Sequence, residues 1–373
     1  MAGADSRPRD RYFDILRAVA ILRVVANHAF PLTVLEVAFP SMGVMFALGG
    51  SLMVQSMRRS PAQAVRGRLR RLLPALWVMG AVLVPLMLAT GWADRPVWPR
   101  LLFWVLPLSD PPASEWGMNG AGVLWYLVTY LWLVLLSPLL IRLYRRMPVP
   151  TLALPLLLLG LALLYPGVLG DTYLGSPAWV VINLLTFASC WILGFAHREG
   201  HLSRIGPGLV VLLAAVGIGA GLGWAFAHPI DGKLDLIDEP LAYAVYCLAF
   251  TLVLMRWSPR MGWLAKRRVL DGLVTLVNAR AVTIYLWHNL AIAAAVVLSD
   301  KLEVWQLGSA ERLAYLALIV VLLLDITIAV GWVEDVAARR PARLLPWPPR
   351  RDTPPAAPAR PIGVAKVPEP LRL

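Results

Sequence analysis

Long apolar stretches alternate along the whole chain with short segments rich in Arg, Pro or acidic residues. An α-helix needs about 20 consecutive apolar residues to cross the hydrocarbon core of a bilayer. The pattern therefore predicts an all-α fold, a polytopic transmembrane helix bundle of about ten spans. The predicted spans are 13–35, 37–57, 72–92, 120–141, 151–169, 179–197, 205–227, 239–256, 280–298 and 313–333.

The composition supports a membrane protein. Hydrophobic residues make up 59% of the 373 residues and charged residues 15%, whereas a soluble domain has about 25% charged residues. We expect a multi-pass protein of the cell membrane. The two cysteines, Cys190 and Cys247, lie inside predicted spans, which argues against a disulfide framework or a zinc site.

The basic residues indicate an orientation. With the N-terminus in the cytoplasm, 28 of the 35 Lys and Arg residues fall on the cytoplasmic side of the ten spans, as the positive-inside rule requires. Both termini are then cytoplasmic. The net charge of +13 is explained by this topology and by contact with lipid headgroups, and no nucleic-acid partner is expected.

The chain divides into one membrane domain and a tail. Residues 12–335 contain all predicted spans, and residues 336–373 form a basic, Pro-rich cytoplasmic tail whose composition predicts disorder. Two shorter apolar segments, 101–108 and 269–280, are predicted to lie at the membrane interface, the second as an amphipathic helix. The two halves of the chain show no repeat, and nothing indicates an oligomeric state.

The first predicted span, "RYFDILRAVAILRVVANHAF" (11–30), contains three ionisable residues, Arg17, Arg23 and His28. Such residues are costly in a membrane and usually face a bundle interior or a wet cavity. Arg17 and His28 are eleven positions apart in the predicted helix, which places them within about 20° of each other on one face and about 16 Å apart along the axis. A long ligand can therefore contact both, with His28 suited to proton transfer. The alternative is that Arg17 extends to the headgroups and His28 bonds to a neighbouring helix.

Five segments in order resemble the motifs of acyltransferase family 3, a family of integral membrane proteins that use acyl-CoA to modify hydroxyl groups. They are "LRAVAILRVVANH" (16–28), "MFALGGSLM" (45–53), "RLRRLLP" (68–74), "LWYLVTYLWLVLLSPLL" (124–140) and "TIYLWHNLAI" (283–292). The chain departs from the family pattern in three places. Gly49-Gly50 stands for a Ser-Gly pair, Thr129 and Tyr130 occupy the region of a frequent Glu, and Arg23 replaces an aliphatic residue.

The resemblance implies a membrane-bound, acyl-CoA-dependent O-acyltransferase. The co-substrate is acyl-CoA, most often acetyl-CoA, and no metal is implied. The acceptor is a hydroxyl of a glycan, glycolipid or secondary metabolite. The implied catalytic residues are His28 as general base and Arg17 as its partner, with Arg68 and Arg71 binding CoA. The candidate substrate-binding residues are His288, Trp125, Tyr126 and Tyr285.

Two questions stay open in the sequence. Transfer can be direct or pass through an acyl-histidine intermediate. A proton-coupled transporter using Arg17, His28 and Asp325 is the rival function. Transporters usually contain repeated halves, so the missing repeat favours the enzyme.

Overall fold

The computed structural model describes residues 10–347 apart from 59, 94, 95, 97, 169, 171, 174, 231 and 260. The regular secondary structure of this part of the chain is α-helical apart from short 3₁₀ segments and one isolated bridge between Ile230 and Lys233. The helices are α1 (Arg11–Ala29), α2 (Thr33–Ala38), α3 (Ser41–Met57), α4 (Pro61–Ala89), α5 (Met118–Ala121), α6 (Trp125–Arg146), α7 (Pro148–Leu164), α8 (Pro177–Arg198), α9 (Pro207–Ala227), α10 (Pro240–Arg256), α11 (Arg268–Ala279), α12 (Ala281–Lys301), α13 (Glu311–Val330) and α14 (Trp332–Ala337).

The prediction of an all-α membrane bundle is confirmed. Seven helical segments of the described residues are long and apolar enough to cross a membrane, and α7 and α10 are apolar helices of 17 residues each. The charged helix α1 occupies the first predicted span. Each predicted span thus overlaps a helix, although the first, 13–35, is interrupted because α1 ends at Ala29 and α2 begins at Thr33. The count of ten spans and the cytoplasmic termini stay predictions.

The centre of the bundle is the crossing of α3 and α8. A Cβ atom on Gly50 would stand 2.1 Å from the carbonyl oxygen of Trp191, and one on Gly194 would stand 2.2 Å from that of Ala47. Small residues let membrane helices approach until their backbones touch. The glycine at position 50 is therefore required by this close crossing, around which α6 and α10 complete the main core.

Helix α1 packs between α3 and the pair α11 and α12. Arg11 binds the carboxylates of Asp14, at 3.2 Å, and of Asp271 on α11. Helix α11 confirms that 269–280 is helical, and its apolar residues Val269 and Leu273 are exposed. Its position at a membrane surface stays a prediction, as does that of 101–108, which overlaps the 3₁₀ segment Trp98–Trp104.

A buried ion pair holds α14 against the start of α12. The guanidinium of Arg280, which is fully buried, donates to Asp335 Oδ2 at 2.8 Å. Burial by itself would raise the pKa of Asp335, but hydrogen bonds from Arg280 and from the backbone of Arg343 hold it below its usual value. Beside it, Glu334 accepts from Thr283 N and Oγ1. The domain boundary at residue 335 stays a prediction, and residues 348–373 of the predicted disordered tail lie outside the described residues.

Candidate active site

Two cavities enter the bundle from opposite ends of α1. The first, here called the basic cavity, has a volume of about 830 Å³ and is lined by Arg17, Arg68 and Arg71. The second, the far cavity, has a volume of about 330 Å³ and is lined by His28. Between them lies a narrow space of about 10 Å³, here called the neck. The residues lining the neck are Ala20, Ile21, Val24, Val25, Met42, Met45, Tyr126, Tyr285 and His288.

The basic cavity carries a strong excess of positive charge. Six arginines line it, against two carboxylates, those of Asp14 and Glu334. Arg11 already binds Asp14. The six arginines are Arg11, Arg17, Arg68, Arg71, Arg340 and Arg343. Such a cavity attracts a polyanion, because arginine forms strong charge-assisted hydrogen bonds with phosphate.

Arg17 is held at the inner wall of the basic cavity. Its Nη1 donates to Asn278 Oδ1 at 3.3 Å. The amide of Asn278 is itself oriented by donating to the carbonyls of Asp14 at 2.7 Å and Val274 at 2.8 Å. Helix α11 therefore positions the Arg17 side chain, and the sequence offered no sign of this contact.

The two predicted histidines meet at the far cavity although 260 residues separate them along the chain. The His28 and His288 rings lie 4.8 Å apart between centroids, at 81° to each other. In each ring Nδ1 faces a backbone carbonyl, that of Val24 at 2.9 Å for His28 and that of Tyr285 at 2.6 Å for His288. A carbonyl only accepts, so Nδ1 carries the hydrogen and Nε2 is the atom free to accept a proton.

The histidines differ in their surroundings. His28 is an exposed side chain that lines the far cavity. His288 is fully buried, and its Nε2 has no hydrogen-bond partner in the described part of the chain. Buried polar atoms are nearly always satisfied, so an unsatisfied nitrogen in a cavity wall is a place for a ligand group.

Two tyrosine side chains are shared by the neck and the two cavities. Tyr126 and Tyr285 line both cavities as well as the neck, with ring centroids 5.1 Å apart. The Tyr285 hydroxyl donates to the Val123 carbonyl, which holds that ring in place. Trp125 stacks on Phe187 in the wall of the far cavity, with centroids 5.7 Å apart. All eight residues proposed from the sequence therefore line one or both cavities.

Several lining residues were missed by the sequence reasoning. Arg23 lines the far cavity beside His28, because this cavity extends around α1 beyond the face that Arg17 occupies. Its Nε donates to the Leu35 carbonyl at 2.6 Å, and its Nη2 is buried without a partner among the described residues. Asn27 Oδ1 and Trp179 Nε1 are unsatisfied in the same wall. The sequence did contain one indication of a role for Arg23, since a charged residue within a membrane span is costly and usually faces a cavity.

The third residue of the transporter hypothesis lies elsewhere. Asp325 is an exposed residue of α13 and does not line the basic cavity, the far cavity or the neck. Among the described residues, that carboxylate is therefore not part of the cavities that Arg17 and His28 line.

Comparison with known proteins gives one match. A family model described as "Acyltransferase domain" matches residues 10–330, which is most of the chain and includes α1 to α13. No curated protein and no solved structure matches the chain.

Proposed function

The chain belongs to acyltransferase family 3 and is an O-acyltransferase of the membrane, and on this premise we propose that it acylates a hydroxyl where its two cavities meet. The donor is acyl-CoA, with acetyl as the acyl group. The acceptor is a hydroxyl of a glycan, glycolipid or secondary metabolite. The observation that carries the proposal is that Tyr126 and Tyr285 line the neck together with both cavities, the cationic one and the one that holds His28 and His288.

The basic cavity suits the donor. CoA carries several phosphates on a nucleotide and a long, thin arm that ends in the thioester. Arg68 and Arg71 bind the phosphates by charge-assisted hydrogen bonds. Arg17 lies deeper, and the rise of about 16 Å from Arg17 to His28 is comparable with the length of the arm. The aromatic rings of Tyr126 and Tyr285 then flank the thioester at the neck.

The far cavity suits a hydroxyl-rich acceptor. Its wall presents two unsatisfied donors, Arg23 Nη2 and Trp179 Nε1, and two unsatisfied acceptors, Asn27 Oδ1 and His288 Nε2. A hydroxyl both donates and accepts, so a saccharide or similar acceptor satisfies both kinds of group. The exposed face of Trp125 and its neighbours offers an apolar surface for the ring.

His28 is the general base of the proposal. Its Nε2 takes the proton of the acceptor hydroxyl while the oxygen attacks the carbonyl carbon of the thioester. The carbon–sulfur bond breaks, and the thiolate of CoA leaves and takes up the proton from His28. His288 Nε2 accepts a hydrogen bond from the acceptor and orients it, since a reacting hydroxyl must be held in line with the carbonyl.

The orientation of the protein follows from the donor. Acyl-CoA is cytoplasmic, so the basic cavity opens to the cytoplasm and the far cavity to the other side of the cell membrane. This agrees with the orientation that the positive-inside rule predicts for the loops.

The test uses purified full-length protein in detergent with radiolabelled acetyl-CoA and a panel of glycan, glycolipid and secondary-metabolite acceptors. Replacing His28 by Ala should lower kcat by about 10²–10⁴-fold, the usual contribution of a general base, and leave acetyl-CoA binding intact. Arg17→Ala should weaken acetyl-CoA binding. His228→Ala is the matched control, because His228 is exposed and stacks on Trp224 at the end of α9, outside both cavities.

Two results would overturn the proposal. Full activity in a folded His28→Ala protein would show that His28 is not the general base. Failure of the wild-type protein to bind any acyl-CoA would exclude acyl-CoA as the donor.

A further inference from the structure

The segment that follows α14 forms part of the wall of the basic cavity. Residues 338–347, here called the C-terminal strap, lie beyond the residues 10–330 matched by the family model. Five of them line the cavity, which are Ala338, Arg340, Arg343, Pro346 and Trp347. The cavity is therefore completed by residues outside the matched domain.

A buried network fixes the course of the strap. The buried Arg280 binds Asp335 Oδ2 and also donates to the carbonyl of Arg343. The backbone N–H of Arg343 donates to Asp335 Oδ2 at 3.2 Å, and Arg340 Nη2 lies 3.3 Å from Asp335 Oδ1. These bonds involve only the backbone of Arg343, so its guanidinium can bind a ligand in the basic cavity, which Arg343 lines. A solvated tail would not need such an anchor.

The position of Trp347 depends on a glycine of α11. A Cβ atom on Gly272 would stand 2.0 Å from Cζ2 of the Trp347 indole and 2.3 Å from Cη2. Only a residue without a side chain allows the indole to lie this close to the helix. Trp347 is 38% exposed and lines the basic cavity, so its indole contacts α11 without being fully covered by it.

The strap adds two features to the cavity: more positive charge and a flat aromatic surface. Arginine suits phosphate because its planar guanidinium makes two parallel hydrogen bonds. An indole suits a nucleobase, since stacking between a base and an aromatic ring is favourable for any base. A ligand that needs both is a nucleotide with several phosphates.

We propose that the C-terminal strap is the nucleotide subsite for the acyl-CoA donor, with Trp347 stacked on the adenine ring and Arg343 on the phosphates. This rests on the proposed function, in which acyl-CoA enters the basic cavity. The acyl end of the donor and the acceptor do not reach the strap, because His28 and the far cavity lie beyond the neck.

The test compares a donor that has the nucleotide with one that lacks it. Full-length protein is assayed with acetyl-CoA and with acetyl-pantetheine, and binding of adenosine 3′,5′-bisphosphate is measured by calorimetry. Trp347→Ala and Arg343→Ala should each raise KM for acetyl-CoA about tenfold or more and weaken bisphosphate binding to a similar degree. Both should leave kcat and the use of acetyl-pantetheine unchanged, and Trp347→Phe should retain most of the affinity.

Matched controls come from the same chain. Trp263 is an exposed tryptophan that does not line the basic cavity, and Arg145 is an exposed arginine paired with Glu199 at 2.7 Å. Alanine at either position should leave the kinetics with acetyl-CoA and with acetyl-pantetheine unchanged.

Three outcomes overturn the strap proposal. Equal loss with both donors means that the strap only stabilises the fold, and unchanged acetyl-CoA kinetics in both variants means that it does not touch the donor. A wild-type protein that binds no acetyl-CoA refutes the proposed function itself, and the strap proposal falls with it. The first two leave the proposed function standing.

Discussion

Replacing glycine by alanine should destabilise the protein at Gly50, where α3 crosses α8, but not at Gly219 on α9. In Gly50→Ala the new methyl carbon would stand 2.1 Å from the Trp191 oxygen, 2.9 Å from its carbonyl carbon and 3.2 Å from its Cα. All three are backbone atoms, which cannot rotate away. Normal contact begins near 3.5 Å, so the two helices must move apart by roughly 1 Å.

The size of the effect follows from that displacement. Overpacking of a close-packed core costs typically about 1–3 kcal/mol, and we expect Gly50→Ala to reach the upper part of this range because the obstacle is backbone. Gly219 provides the control: it lies within α9 with no atom within 4 Å of an added Cβ. There Ala should be neutral or stabilise by up to about 1 kcal/mol, as expected from helix propensity.

Two buried thiols allow a direct assay. Cys190 on α8 and Cys247 on α10 are free and fully buried, so a thiol-reactive dye labels them only when the bundle opens. Gly50→Ala should be labelled at a clearly lower temperature than wild type, and Gly219→Ala at the same or a higher one. Equal labelling temperatures for the two variants would contradict a close backbone contact between α3 and α8 at Gly50.

Three further predictions concern Asp110, which lies in the loop between the 3₁₀ segment Trp98–Trp104 and α5, the far cavity and the buried ion pair. Burial raises the pKa of Asp110 to about 6, an effect that the Gly175 backbone partly offsets. The fold therefore favours the protonated carboxyl more than the unfolded chain does, so the stability of the protein is highest below the ordinary pKa of Asp and is lost as the pH rises through 6. Asp110→Asn should stabilise the protein at pH 7–8 by at most about 3 kcal/mol, and an advantage that does not shrink towards pH 4 would contradict this. Arg23→Met should raise KM for the acceptor about tenfold or more, because one hydrogen bond from a charged group is lost, and it should leave acetyl-CoA binding unchanged. Weaker acetyl-CoA binding in this variant would mean that Arg23 binds the donor instead. Arg280→Met should destabilise by about 3 kcal/mol because Asp335 keeps a buried charge, and thermal unfolding should show partial recovery in Arg280→Met combined with Asp335→Leu.

The local pattern of residues was enough to predict the helices and the face that Arg17 and His28 share. The length of a hydrophobic run predicts the length of a membrane helix, and the fixed rotation of an α-helix per residue predicts which side chains are neighbours on it. Both signals are short in range. They placed Arg17 nearer the cytoplasmic end of the span and His28 beyond its middle, and in the structure Arg17 lines the basic cavity and His28 the far cavity.

Contacts between distant helices could not be predicted in this way. His288 reaches His28 because α12 packs on α1, and Arg23 joins the same cavity because α8 and α10 supply its remaining walls. The strap is a third case, since the composition of residues 336–373 predicted disorder, whereas Arg343 and Trp347 line the basic cavity through an anchor at Arg280.

The physical reason is the same in each case. A helix determines the direction of its own side chains, but a cavity is the space that several helices leave between them. The sequence alone predicts an all-α membrane protein, with ionisable residues along one face of its first helix and the motifs of an acyltransferase. The residues that lie opposite that face depend on the tertiary packing, because packing joins segments that lie hundreds of residues apart in the chain.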